Sequence, residues 1–166
     1  METISLILHV SAAALLFGPQ VLMFFALTPA TWFIDDEQLK GNVVSTVAGR
    51  FGIMSAASIL VLMATGVYQM QAFAPSNLVE TRWGSILVVK MIAFVILMIL
   101  LMIHTMYFSK KIQILSEEVI NGDEDKVGDL DYLRRQSWLF SFLMLLVTTA
   151  TLWLGVALGN HQFSLG

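Results

Sequence analysis

Four long apolar segments are the main feature of this chain. They extend from about Ile4 to Leu27, Phe51 to Phe73, Gly84 to Phe108 and Trp138 to Gly159. A helix needs about 20 mostly apolar residues to cross the hydrocarbon core of a bilayer. Membrane strands would alternate in polarity, whereas these segments are continuously apolar. The pattern therefore predicts an all-α fold, an integral membrane four-helix bundle that forms a single domain over residues 1–166.

The composition supports a membrane protein and excludes several other classes. Charged residues make up 13% of the chain and apolar residues 57%, whereas soluble domains carry about 25% charged residues. A soluble enzyme, a nucleic-acid-binding protein and a disordered chain are therefore disfavoured. The absence of cysteine excludes disulfides, CxxC redox motifs and thiolate metal sites. The partner expected first is the lipid bilayer.

The distribution of basic residues predicts the orientation in the membrane. Only Arg82 lies in a connection on the side of the two termini, and no basic residue precedes the first span, which we therefore interpret as a retained helix rather than a signal peptide. Basic residues favour the cytoplasmic side. We expect a multi-pass protein of the bacterial inner (plasma) membrane with both termini outside the cytoplasm. The basic residues of the other two connections are Lys40, Arg50, Lys110, Lys111, Lys126, Arg134 and Arg135.

The connection between the third and fourth segments has an amphipathic pattern. Ile112, Leu115 and Val119 continue a helical stripe beyond the third span. Asn121-Gly122 is typical of a helix end, and acidic residues then begin a second polar segment. We expect short amphipathic cytoplasmic connections rather than flexible loops.

Ionisable residues inside a span are costly and are therefore functional candidates. His9 lies about 9 Å and Lys90 about 10 Å from the outer ends of their spans, so the two side chains are expected at one level in the outer leaflet. His104 lies about 21 Å deeper than Lys90, and we favour a structural role for it. His161 follows the fourth span.

Further polar residues extend this pattern. On the second span a stripe of polar residues ends near Gln69 and Tyr68, at the level expected for His9 and Lys90. A neutral imidazole binds haem iron or copper, and a lysine ammonium attracts a carboxylate. The candidate cofactor-binding residues are therefore His9, Lys90, Gln69 and Tyr68, with His9 as the metal ligand. The methionines of the third span are interpreted as packing residues.

Two segments carry a family resemblance. The first span contains Leu8-His9-Val10 and Phe17-Gly18, and the third contains Arg82-Trp83-Gly84 and Leu87-Val88-Val89-Lys90. The chain resembles the CopD-like superfamily of small bacterial membrane proteins, which includes copper-resistance proteins and HemJ-type protoporphyrinogen oxidases. The resemblance implies roles in haem binding and activity for His9 and Lys90.

Three functions follow as alternatives. The first is haem or porphyrin redox chemistry at an outer-leaflet His9/Lys90 site, with haem b as the cofactor. The second is copper handling with His9, His161 and methionines. The third is a non-catalytic accessory subunit, whose partners would be other membrane subunits or a second copy of this chain, and which needs no cofactor. Enzyme and non-enzyme interpretations are both open, and no catalytic residue is assigned.

Overall fold

The computed structural model describes residues 2–74, 77 and 80–160. Four helices dominate it, and each is long and apolar enough to cross a membrane. No strand occurs among the described residues. The predicted all-α membrane fold is therefore confirmed. The helices are α1 (Glu2–Thr31), α2 (Glu37–Phe73), α3 (Arg82–Ile120) and α4 (Glu124–Gly159).

The helices extend well beyond the predicted spans. At 37 residues α2 is about 55 Å long, whereas the hydrocarbon core is about 30 Å thick. It begins at Glu37, where the Asp36 carboxylate accepts a hydrogen bond from the Leu39 backbone N–H at 3.0 Å. Helix α3 continues without a break to Ile120 and stops at Gly122, whose φ of 101° suits glycine. The amphipathic connections are thus extensions of the membrane helices.

Two of the helices contain a π-helical turn. In α1 the α-helix Glu2–Leu22 passes through Pro19, and a π-turn Met23–Leu27 follows before Thr28–Thr31. The irregularity associated with the proline thus appears just beyond it. Helix α3 is α-helical over Arg82–Ile103 and Lys110–Ile120, and the π-turn between them begins at His104. Helix α4 opens with a 3-10 turn, Glu124–Lys126, before the α-helix Val127–Gly159.

The four helices pack as two close pairs. Helix α1 packs against α2, and α3 packs against α4, while α1 also contacts α4. Close backbone contact between α2 and α3 involves the Lys110–Ile120 part of α3. A core cluster closes the middle of the bundle and consists of Ala12, Leu16, Leu62 and Leu97. We call the end of the bundle that contains Glu2, Phe73, Arg82 and Gly159 the terminal end, and the opposite end the connection end.

A charged cluster ties α2 to α4 at the connection end. Arg134 donates to both carboxylate oxygens of Glu37, at 3.1 and 2.7 Å, and Lys40 donates to the same carboxylate at 2.7 Å. Bidentate pairs of this kind fix orientation as well as distance. Nearby, the Ser116 side chain of α3 lies beside Gly41 of α2, so α3 and α2 are in contact at this end.

Candidate functional site

A layer of polar side chains lies on the terminal side of the core cluster. On α1, Ser5 and His9 share a stripe with the core residues Ala12 and Leu16, as the spacing of three or four residues requires. The same spacing aligns Thr65 and Gln69 with Leu62 on α2, and a seven-residue step aligns Lys90 with Leu97 on α3. We call Ser5, His9, Thr65, Gln69 and Lys90 the polar layer.

His9 is held against α2. Its Nδ1 lies 2.8 Å from the hydroxyl oxygen of Thr65. A Cβ on Gly66 would lie 3.6 Å from the Cε1 atom of the ring, so the imidazole packs directly over this glycine. The His9 side chain is only partly buried. The α1–α2 pair therefore orients the ring without enclosing it.

Lys90 reaches from α3 to the backbone of α4. The end of its side chain lies beside Gly155: if this glycine carried a Cβ atom, that atom would lie 3.3 Å from the Lys90 Nζ and 3.7 Å from its Cε. Lys90 forms no hydrogen bond or ion pair with any residue in the described part of the chain. The partial negative charge at the C-terminal end of α4 favours an ammonium there. Lys90 and His9 lie on the same side of the core cluster, on the stripes of α3 and α1 that contain Leu97 and Ala12.

Gln69 and Tyr68 occupy different environments. The Gln69 side-chain amide donates to the Ser5 carbonyl at 3.3 Å, so it links α2 to α1 within the polar layer. Tyr68 is 38% exposed, because adjacent residues of a helix point about 100° apart. The structure thus brings His9, Lys90 and Gln69 into one layer and places Tyr68 at its margin.

Comparison with known proteins gives the family. The model of the family described as CopD, copper resistance protein D, matches residues 45–154, about two thirds of the chain. The chain belongs to the copper resistance protein D family. The match includes Lys90, Thr65 and Gln69, whereas His9 precedes it. No curated protein and no solved structure matches the chain.

In this copper resistance protein D family member, His104 lies far from the polar layer. Its Nε2 is 3.2 Å from the hydroxyl oxygens of both Ser137 and Ser141 on α4. The ring stacks on Phe140, with the centroids 6.3 Å apart. His104 therefore links α3 to α4 in the connection half of the bundle.

The described residues of this family member offer few side chains that could bind a metal. Among the described residues there is no group of three or more His, Cys, Asp or Glu side chains that could hold a metal ion. Met91, Met102 and Met106 of α3 are each more than half exposed, so they face away from the bundle interior. His161 lies outside the described residues, and its predicted position above His9 stays a prediction.

Two glycines border the site, and the sequence linked neither of them to His9 or Lys90. Gly66 follows Thr65 and borders the His9 ring, and Gly155 borders the Lys90 ammonium. In the sequence, Gly155 and Gly159 form a GxxxG pattern, which is typical of close helix packing. The structure places a lysine side chain beside the first glycine, whereas no other side chain of the described residues lies within 4 Å of a Cβ placed on the second.

Proposed function

We propose that this protein binds a haem-type metalloporphyrin at the polar layer, with His9 as the ligand of the iron and Lys90 as the partner of a porphyrin carboxylate. The observation that supports this most is the presence of one imidazole and one ammonium in a single inward-facing layer. The ammonium has no acidic partner in the described part of the chain. A metalloporphyrin matches this imidazole and ammonium, because it brings both a metal for the imidazole and carboxylates for the ammonium.

The donor set fits haem better than a bare metal ion. A porphyrin supplies four nitrogen ligands itself, so one protein imidazole is enough for an axial position. Its carboxylates would offset the Lys90 charge. The partial exposure of His9 and the limited backbone contact between α2 and α3 leave an approach from the membrane. Bound haem would supply one-electron redox chemistry, while the chain's residues hold and orient the group.

Copper handling is the second candidate, and the family match favours it. A cuprous ion takes soft or imidazole ligands, and His9 supplies one of these. The other imidazole of such a site would come from His161, outside the described residues. A positive charge on Lys90 in the same polar layer as His9 opposes a cation and favours an anionic complex, and this is why we place haem first.

We also propose the bacterial inner membrane and an orientation. Lys40, Lys110, Lys126 and Arg135 are among the basic residues of the connection end, whereas the terminal end has Arg82. Because basic residues favour the cytoplasmic side, the connection end faces the cytoplasm. The polar layer then lies in the outer leaflet.

The absorption spectrum and metal content of the detergent-purified protein test the function. A Soret band with about one iron per chain supports the haem proposal. Copper at about one per chain without a Soret band contradicts haem and supports the second candidate. If neither is present, and neither haem nor cuprous copper binds on titration, both proposals are wrong and an accessory-subunit function gains support.

A further inference from the structure

The hydroxyl group of Thr65 can donate one hydrogen bond, but three possible hydrogen-bond partners lie around it. Its oxygen lies 2.6 Å from the Val61 carbonyl and 3.4 Å from the Leu62 carbonyl of its own helix. It also lies 2.8 Å from Nδ1 of His9. A carbonyl oxygen only accepts hydrogen bonds, so the hydroxyl proton is used within α2. The short contact to His9 then requires that the hydroxyl oxygen accepts and that Nδ1 donates.

We propose that Thr65 is a positioning residue that holds a proton on Nδ1 of His9 and leaves Nε2 as the metal-binding nitrogen. The assignment of the proton rests on the hydrogen bonds alone, and the role of Nε2 rests on the proposed function. Nε2 has no hydrogen-bond partner in the described part of the chain. A histidine ligand usually donates its other ring N–H to an acceptor, which fixes the tautomer and orients the ring.

His104 provides an internal contrast. The Ser141 hydroxyl donates to the Ser137 carbonyl at 2.9 Å, so its oxygen accepts from Nε2 of His104 at 3.2 Å. The Ser137 hydroxyl oxygen, also 3.2 Å from Nε2, then accepts from the same N–H. The same rule therefore places the proton of His104 on Nε2. The two described histidines are held with their ring protons on opposite nitrogens, and a single spectrum can report both.

Nitrogen-15 NMR of the histidine rings in the purified, metal-free chain tests the proton assignment. The chain has three histidines. We expect the ring whose signals are lost in His9→Ala to carry its proton on Nδ1, and the ring whose signals are lost in His104→Ala to carry its proton on Nε2. Thr65→Val has nearly the same shape but no acceptor, and should remove the Nδ1–H signal of His9. Thr65→Ser should keep it, and the unchanged His104 signal shows that each variant is folded.

The proton assignment is wrong if His9 carries its proton on Nε2 in the unmodified chain. It is also wrong if Thr65→Val leaves the His9 signal unchanged. A folding defect in Thr65→Val does not remove the test, because the unmodified chain reports the tautomer by itself.

Titration with haem and with cuprous copper separates this inference from the proposed function. We expect Thr65→Val to weaken binding about 10–100-fold, as is typical when the acceptor behind a histidine ligand is lost, and Thr65→Ser to bind nearly as tightly as the unmodified chain. If neither haem nor copper binds, the proposed function fails while the NMR result stands. If one of them binds but Thr65→Val changes neither the spectrum nor the affinity, the positioning role fails and the function stands.

Discussion

Lys90 shows how a charged residue is accommodated inside an apolar helix. It lies on the inward stripe of α3, two turns from Leu97, where its ammonium reaches the backbone beside Gly155. The aliphatic stem packs within the bundle, as is usual for lysine. The helix end offsets part of the charge, and in the proposed function an anionic partner offsets the rest. At the residue scale, the proposed function therefore depends on a charge that the described residues do not neutralise.

Replacement of Lys90 by methionine tests that role. Methionine keeps most of the length and loses the charge, so Lys90→Met should fold normally and bind haem about tenfold more weakly, equivalent to about 1.4 kcal/mol. The measurement is a haem titration followed by absorbance. Lys111→Met is the matched control, because Lys111 lies at the connection end near Tyr107. Equal affinities for Lys90→Met and the unmodified chain would contradict a direct role of the ammonium.

At the scale of the elements, glycines and ion pairs determine how the helices approach. Gly155 lets the lysine side chain of α3 contact α4, whereas Gly159 has no such neighbour among the described residues. At the other end, the Glu37–Arg134 pair joins α2 to α4. Helix contacts in lipid depend on such close packing and polar links, because lipid tails are as apolar as leucine.

The two glycines of α4 make a matched pair for stability measurements. Gly155→Leu should push Lys90 away and separate α4 from α3, because the new side chain occupies the space of the ammonium. Gly159→Leu should be tolerated. Thermal unfolding in detergent measures both variants, and an equal midpoint for the two would count against the packing role of Gly155.

The link between α2 and α4 predicts a second stability effect. Glu37→Gln should destabilise the bundle by about 1 kcal/mol, because it removes the charge that Arg134 and Lys40 share. Asp129→Asn is the control, since its pair with Lys126 spans 4.0 Å and is exposed. Thermal unfolding at low and high salt measures the effect. A loss no larger than that of the control, at either salt concentration, would mean that the link is not stabilising.

At the scale of the whole molecule, the two ends of the bundle carry different polar groups. The polar layer and the Glu37–Arg134 pair lie on opposite sides of the core cluster. This asymmetry makes the orientation in the membrane important, because it determines which compartment the polar layer faces.

Reporter fusions test the predicted orientation. A reporter active only in the cytoplasm should be active when inserted after Gly122 and inactive when fused after Gly166, because most basic residues lie at the connection end. A periplasmic reporter should give the opposite result at both positions. Cytoplasmic activity after Gly166 would reverse the orientation and move the polar layer to the inner leaflet.

The sequence was sufficient for the helices but not for their contacts. The apolar segments are local signals, and all four lie within the observed helices. The proximity of His9 and Thr65 depends on how α1 is rotated against α2, which is set by packing between residues 56 positions apart. For the same reason, the GxxxG pattern indicated a close contact at Gly155 but not that Lys90 would make it.

The binding of a metal-containing group by His9 is tested most directly by comparing His9→Ala with His104→Ala. Both remove one histidine that bonds to a neighbouring helix, but only His9 belongs to the polar layer. The measurement is the Soret absorbance and the iron and copper content of each purified variant, relative to the unmodified chain. We expect His9→Ala to lose the bound group and His104→Ala to retain it. Loss in His104→Ala with retention in His9→Ala would contradict the account and place the site in the connection half of the bundle.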